Sequence, residues 1–230
     1  MKTSDKTAII LGATGLTGGL LLKSLLADDR YLNITVFTRS PLGFTHQKLT
    51  EIQCDLLNLE AQQPDFKADE IFCCIGTTKA KTPDKERYKA IDFGIPVSAA
   101  KLCKKNDIPA FLVVSAMGAD ASSSIFYNKV KGEMEAAVLQ LGLPKTHILQ
   151  PSLIGGDRNE RRPGEYIGKQ LMKVLDFLMV GPLKKYKTIA PENIAATMIW
   201  LANNPYAETR LTSDIITKIA KTEHNARSRT

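Results

Sequence analysis

The sequence predicts an α/β protein, a doubly wound Rossmann-type parallel sheet with a small C-terminal lobe on its substrate side. Three observations predict it. Residues 8–19 read Ala-Ile-Ile-Leu-Gly-Ala-Thr-Gly-Leu-Thr-Gly-Gly, an apolar run that gives way to a glycine-rich turn. Short apolar runs then alternate with helical stretches along most of the chain. Tyr127-Asn-Lys-Val-Lys131 stands at the start of the helix after the fifth run.

The run Thr7–Leu11 has the length and composition of a buried strand, and Leu16–Leu26 has helical spacing. Between them Gly12, Gly15 and Gly18 stand at G-x-x-G-x-x-G spacing. Strand, glycine turn and helix in that order form a dinucleotide-binding unit. Gly12 turns the chain, Gly15 admits a pyrophosphate to the backbone, and Gly18 lets the helix pack closely. With Thr14, Leu16 and Thr17 these residues are the expected phosphate-binding set. The first N–H groups of the helix and its positive dipole end face the phosphates.

Further strands are expected at Ile34–Thr38, Leu49–Cys54, Glu70–Ile75, Ala110–Ser115 and His147–Gln150. Helices are expected near 58–62, 85–105 and 127–141. Regular alternation of this kind gives a parallel sheet covered by helices on both faces. Its ligand crevice lies at the carboxyl ends of the strands. After Gly155 the character changes. Arg158, Arg161, Arg162 and Pro163 mark a polar loop. A helix is expected near 165–179, closed by Gly181-Pro182, and another from Pro191 to about Asn203. Leu211–Ile219 reads as a last strand, and Lys221–Thr230 as a frayed polar tail. The whole chain, 1–230, reads as one domain in which 155–220 supplies the small lobe.

The chain has 230 residues, enough to bury a core without staples. Cys54, Cys73, Cys74 and Cys103 show no C-x-x-C pairing and no nearby histidine pair, so no metal site is expected. Cys73 and Cys74 are neighbours on an expected strand and point to opposite faces. All four read as reduced thiols, which fits a cytoplasmic location. His46, His147 and His224 show no ligand spacing, and His147 reads as a core group. No run is long and apolar enough to cross a membrane, and the first apolar stretch is broken by glycines and Lys23. The net charge is +7, but the basic residues are dispersed and aromatics are only 7 %, which argues against nucleic acid. The expected ligands are a nucleotide cofactor and an unidentified small molecule, on a monomer or homodimer.

Tyr127 and Lys131 are four residues apart and share a helix face. A phenol is a poor acid at neutral pH, and a nearby ammonium stabilises its phenolate. Tyr127 can then exchange a proton with a substrate oxygen, while Lys131 also holds a ribose. Ser115 ends the fifth strand and can hydrogen-bond the same oxygen. Ser122, Ser123 and Ser124 are alternatives on a less rigid loop. The second strand ends on Arg39 and Ser40 where an NAD site usually places a carboxylate. A guanidinium there suits a 2′-phosphate, so NADP(H) is favoured over NAD(H). The cluster Arg158, Arg161 and Arg162 reads as a solvated loop, or as a receiver for an anionic substrate group.

A serine ending strand five, Y-x-x-x-K on the next helix and the glycine turn together resemble the short-chain dehydrogenase/reductase superfamily. The resemblance is closest to its atypical branch, which contains the Tat-interacting-protein-like NAD(P)H-binding proteins. Four stretches carry it across about residues 7–205: Gly12-Ala-Thr-Gly-Leu-Thr-Gly18, Cys73-Cys-Ile-Gly-Thr-Thr78, Ser115-Ala-Met-Gly-Ala-Asp120 with Tyr127-Asn-Lys-Val-Lys-Gly-Glu133, and Gln150-Pro-Ser-Leu-Ile-Gly155 followed by Arg162-Pro-Gly-Glu165. It implies that Asp55 and Leu56 border the adenine and that Gly76, Thr77 and Pro151 lie along the rest of the cofactor. Gln150 departs from the arginine that relatives often carry before the proline. The implied activity is reduction of a small carbonyl compound with NADPH. The alternative is an NADP(H)-binding regulatory or scaffold protein with little catalysis.

Overall fold

Along Lys6–Leu11, the first strand (β1), alternate side chains enter two different cores. Ala8 and Ile10 face one, Ile9 and Leu11 the other. This two-sided burial is the signature of a parallel strand covered on both faces. The computed structural model describes residues 5–155 and 187–227. From β1 the chain forms α1 (Leu16–Leu26), β2 (Tyr31–Thr38), β3 (Leu49–Gln53), a 3₁₀ segment (Leu56–Gln62) and β4 (Glu70–Cys73). It continues through α2 (Lys85–Lys89), a π turn (Ala90–Gly94), α3 (Ile95–Lys105), β5 (Ala110–Val114), α4 (Phe126–Gln140) and β6 (Lys145–Gln150). From residue 187 onward come α5 (Pro191–Asn203), β7 (Arg210–Thr212) and α6 (Ser213–Arg227).

The strands lie in the order β3-β2-β1-β4-β5-β6-β7. Every neighbouring pair is parallel. The order reverses between β1 and β4, and a ligand crevice opens outside the carboxyl ends at such a switch point. One face is covered by α1, α5 and α6, the other by the 3₁₀ segment, α3 and α4. Cys73 and Cys74 fall on opposite faces, the alternation of β4 carrying one residue past its end.

The C-terminal region corrects the expectation. β7 has three residues, and the stretch expected to continue it as a strand is the start of α6. Ile216, Ile219 and Ala220 are buried at spacings of three and four, the helical period rather than alternation. Asp214 in the first turn suits the helix dipole and accepts from Thr212 Oγ1 at 2.5 Å. The expected frayed tail is helix through Arg227. Expected strands four and five also end earlier, at Cys73 and Val114, so Cys74, Ile75 and Ser115 open loops.

At the amino-end edge of the sheet a polar network ties the strands to α5. Buried Glu70 accepts from the Tyr31 hydroxyl and from Lys6 Nζ at 3.3 Å. Asn203 Nδ2 donates to Tyr31 Oη at 2.9 Å, and Lys145 Nζ donates to the Ala202 carbonyl at 2.9 Å. No described helix is long and apolar enough to cross a membrane.

Candidate functional site

Gly12 has φ +88°, a conformation that side chains other than glycine rarely adopt. A Cβ there would stand 2.7 Å from the Cys74 carbonyl oxygen, so the turn rests directly on the end of β4. A Cβ on Gly18 would overlap the Gly12 backbone, so α1 packs against the loop itself. Gly15 is exposed, and its Cβ would find only Gly12 O, at 3.3 Å. The side beyond it is open. α1 has no side-chain cap and no acid in its first turn. No side chain therefore caps its first N–H groups.

A cleft of about 1380 Å³ runs from this loop along the carboxyl ends of β4, β5 and β6. Thr14, Gly15, Leu16 and Thr17 form one end. Gly76 and Thr77 follow β4, Ser115 follows β5, Pro151 follows β6, and Tyr127 and Lys131 reach in from α4. Gly12 and Gly18 shape the loop from beneath. Arg39 and Ser40 stand exposed just past β2, and Asp55 just past β3; none of them lines this cleft. Asp55 caps the 3₁₀ segment by accepting from Leu57 N at 3.0 Å, and the Leu56 side chain is buried in the core.

The polar groups of the cleft are held by carboxylates that the sequence reading did not assign. Lys131 Nζ lies 2.9 Å from Asp92 Oδ1, with both side chains buried. Asp92 sits in the π turn, and its Oδ2 accepts from Thr77 N at 2.8 Å. Ser115 Oγ donates to Glu135 Oε1 at 2.5 Å. Glu135 also receives Arg210 Nε at 2.8 Å. Tyr127 is 40 % exposed at the cleft wall. The alternative serines lie outside the cleft lining; Ser122 donates to Asp120 in the loop before α4.

Three signals were available in the sequence, two of them pointing to these partners. Glu135 follows Lys131 by four residues, so Tyr127, Lys131 and Glu135 share one face of α4. Asp92 stands between Ile91 and Phe93 in a helical stretch, an acid with apolar neighbours. Gly132 is a third. A Cβ there would overlap the Asp120 backbone, so this glycine lets the loop after β5 lie on α4.

The thiols stay protonated. Burial pushes Cys73 up to about 11 and Cys103 up to about 12, and raises Cys54 and Cys74 as well. His147 pairs through Nδ1 with the Glu208 carbonyl at 3.0 Å, and burial lowers its pKa. Arg158, Arg161, Arg162, the stretch to Glu165, the helix expected near 165–179 and Gly181-Pro182 lie outside the described residues. Lys187, the first described residue after them, accepts through its carbonyl from Ser152 Oγ, a cleft residue. Ile154, a cleft residue, bridges to Ile189.

Residues 12–158 match the family described as NAD(P)H-binding. The chain belongs to that family, in the atypical short-chain dehydrogenase/reductase branch. It is 32 % identical over 173 residues to protein HTATIP2 of Rattus norvegicus, across 74 % of this chain and 71 % of that protein. It is 35 % identical over 159 residues to the mitochondrial protein FMP52 of Candida albicans, across 67 % of this chain and 69 % of that one. Solved structures share the fold at low identity. The Bordetella bronchiseptica enzyme WbmH in complex with NAD+ superposes with a TM-score of 0.65 at 13 % identity, over 97 % of this chain and 82 % of that one. A UDP-N-acetylglucosamine 4-epimerase from Methanobrevibacter ruminantium gives 0.67 at 16 %, over 94 % and 81 %.

The loop fits the cofactor of this family. Gly12 and Gly18 close the turn so tightly that a Cβ on either would strike backbone, while the Gly15 side stays open. The uncapped start of α1 offers N–H groups to a pyrophosphate at that opening.

Proposed function

We propose that the protein is an NADP(H)-dependent reductase of small carbonyl compounds. The observation that carries this reading is the meeting of Ser115, Tyr127 and Lys131 in one cleft that begins at the glycine loop. When bound, the cofactor would supply hydride chemistry at the carbonyl carbon. The backbone from Thr14 to Thr17 holds the pyrophosphate. Arg39 and Ser40, past the end of β2, take the 2′-phosphate, and Asp55 and Leu56 border the adenine. Gly76, Thr77 and Pro151 lie along the remaining length. Lys131 orients the ribose and places positive charge beside Tyr127. Tyr127 gives its phenolic proton to the carbonyl oxygen as negative charge develops there. Ser115, expected from the sequence to hydrogen-bond that same oxygen, has its proton on the bond to Glu135 Oε1 and so orients the substrate instead.

The test is loss of NADPH absorbance over a panel of aldehydes and ketones. Turnover faster with NADPH than with NADH is expected. No turnover by the folded, cofactor-loaded protein would overturn the reading. One observation favours a second reading, an NADP(H)-binding regulatory protein with little catalysis. The polar ends of Ser115 and Lys131 are both engaged by buried carboxylates.

Of residues 155–220, to which this proposal gives a substrate-side lobe, α5, β7 and the start of α6 belong instead to the main sheet and its covering layer. A cytoplasmic location belongs to the proposal as well, on the strength of the free cysteines. The FMP52 relatives carry the word mitochondrial in their names.

A further inference from the structure

Glu135 is 2 % exposed and Ser115 is 4 % exposed. Each contact that the described residues make with the Glu135 carboxylate comes from a donor. Ser115 Oγ reaches Oε1 at 2.5 Å, a charge-assisted length. Gln150 Nε2 lies 2.9 Å from Oε1 and 3.1 Å from Oε2. Arg210 Nε lies 2.8 Å from Oε2 and neutralises the charge. A serine hydroxyl has one proton, and here that proton lies on the bond to Glu135. What Ser115 turns to the cleft is therefore its lone pairs. A charge-assisted bond is about twice as strong as a neutral one, so the proton stays with the carboxylate when a neutral carbonyl arrives.

We propose that Glu135 is a positioning residue that fixes Ser115 as a hydrogen-bond acceptor, and so selects carbonyl substrates that bear a neighbouring hydroxyl. Tyr127 alone then donates to the carbonyl oxygen, while the substrate hydroxyl donates to Ser115 Oγ. This rests on the reductase reading above. Gln150 also serves Glu135. Its amide bridges both carboxylate oxygens.

The test compares hydroxyacetone with methoxyacetone, which lacks the donor, on the protein saturated with NADP+, where neither is reduced. Affinity is read by ligand-observed NMR. The unmodified protein should prefer hydroxyacetone by about two- to tenfold, the worth of one neutral hydrogen bond. Ser115→Ala should abolish the preference. Glu135→Gln should abolish or reverse it, because the carboxamide donates to Ser115 and turns the serine proton into the cleft. Arg210 is about half exposed and can be solvated in that variant. Should Glu135→Gln not fold, Ser115→Ala decides alone, since it removes only a hydroxyl. Equal or undetectable affinity for the two ketones, or a preference that survives Ser115→Ala, would overturn the proposal. NADPH-dependent turnover of hydroxyacetone is measured alongside. Preference without turnover would overturn the reductase reading and leave the Ser115 polarity standing. Turnover without preference would do the reverse.

Discussion

Lys131 Nζ and Asp92 Oδ1 are 2.9 Å apart, and the pair joins α4 to the π turn between α2 and α3. Through its other oxygen Asp92 also holds Thr77 N. One carboxylate thus ties together three segments that line the cleft. π turns recur at functional sites, and this one carries the counter-charge of a lysine in the candidate site. Asp92→Ala would leave that ammonium buried without a partner. Breaking a buried pair in this way costs ~3–5 kcal/mol. Urea denaturation should show a loss in that range, and a loss below ~1 kcal/mol would show that the pair does not hold the cleft together.

In the proposed reading cofactor preference turns on Arg39, which is exposed past β2 with no carboxylate at the strand end. Arg39→Ala should weaken NADPH binding by ~1.5–3 kcal/mol, the range for hydrogen bonds to charged groups, and leave NADH nearly unchanged. Calorimetric titration with both cofactors checks this. Equal affinity of the unmodified protein for the two would remove the basis for NADP(H).

Gly15 and Gly18 should respond differently to the same substitution. Gly15→Val places its side chain on the open side of the loop, where the pyrophosphate would approach. The protein should fold with its normal thermal midpoint and bind no cofactor. Gly18→Val drives the side chain into the Gly12 backbone and should unfold or strongly destabilise the protein. Cofactor binding retained by Gly15→Val would show that the loop is only a turn.

The Glu70 network makes stability depend on pH. Burial raises the Glu70 pKa above its ordinary value, with Tyr31 and Lys6 opposing. A carboxyl raised in the folded state binds its proton more tightly there than in the unfolded chain. Its contribution to stability therefore falls as pH rises from the unfolded carboxylate range through the folded value, and is level above that. Tyr31→Phe removes the phenol that supports the charged form. Its destabilisation should be small at acidic pH and grow to ~1.5–3 kcal/mol at neutral pH, measured by denaturation across that range. A penalty independent of pH would show that Glu70 does not titrate in this way.

Much of the site was legible because its chemistry is local in sequence. The glycine spacing carries the loop, and Tyr127 with Lys131 announces itself by one helical turn. The doubly wound parallel class followed from the alternation of strands and helices. The partners were harder, because Asp92 reaches Lys131 across 39 residues of chain and Arg210 reaches Glu135 across 75. Glu135 itself was within reach on the face of Tyr127 and Lys131. The start of α6, through Ile219, reads as a strand because Ile215, Ile216 and Ile219 are β-branched. Tertiary packing on α5 and β7 overrides that propensity.

The central claim is tested most directly by Tyr127→Phe. The substitution removes the phenolic proton and keeps the ring. In the carbonyl panel, with the cofactor at saturation, turnover should fall by the ~10²–10⁴ typical of losing a general acid. Cofactor affinity and thermal stability should stay within error of the unmodified protein. A Tyr127→Phe protein that reduces its substrate at the original rate would contradict the account.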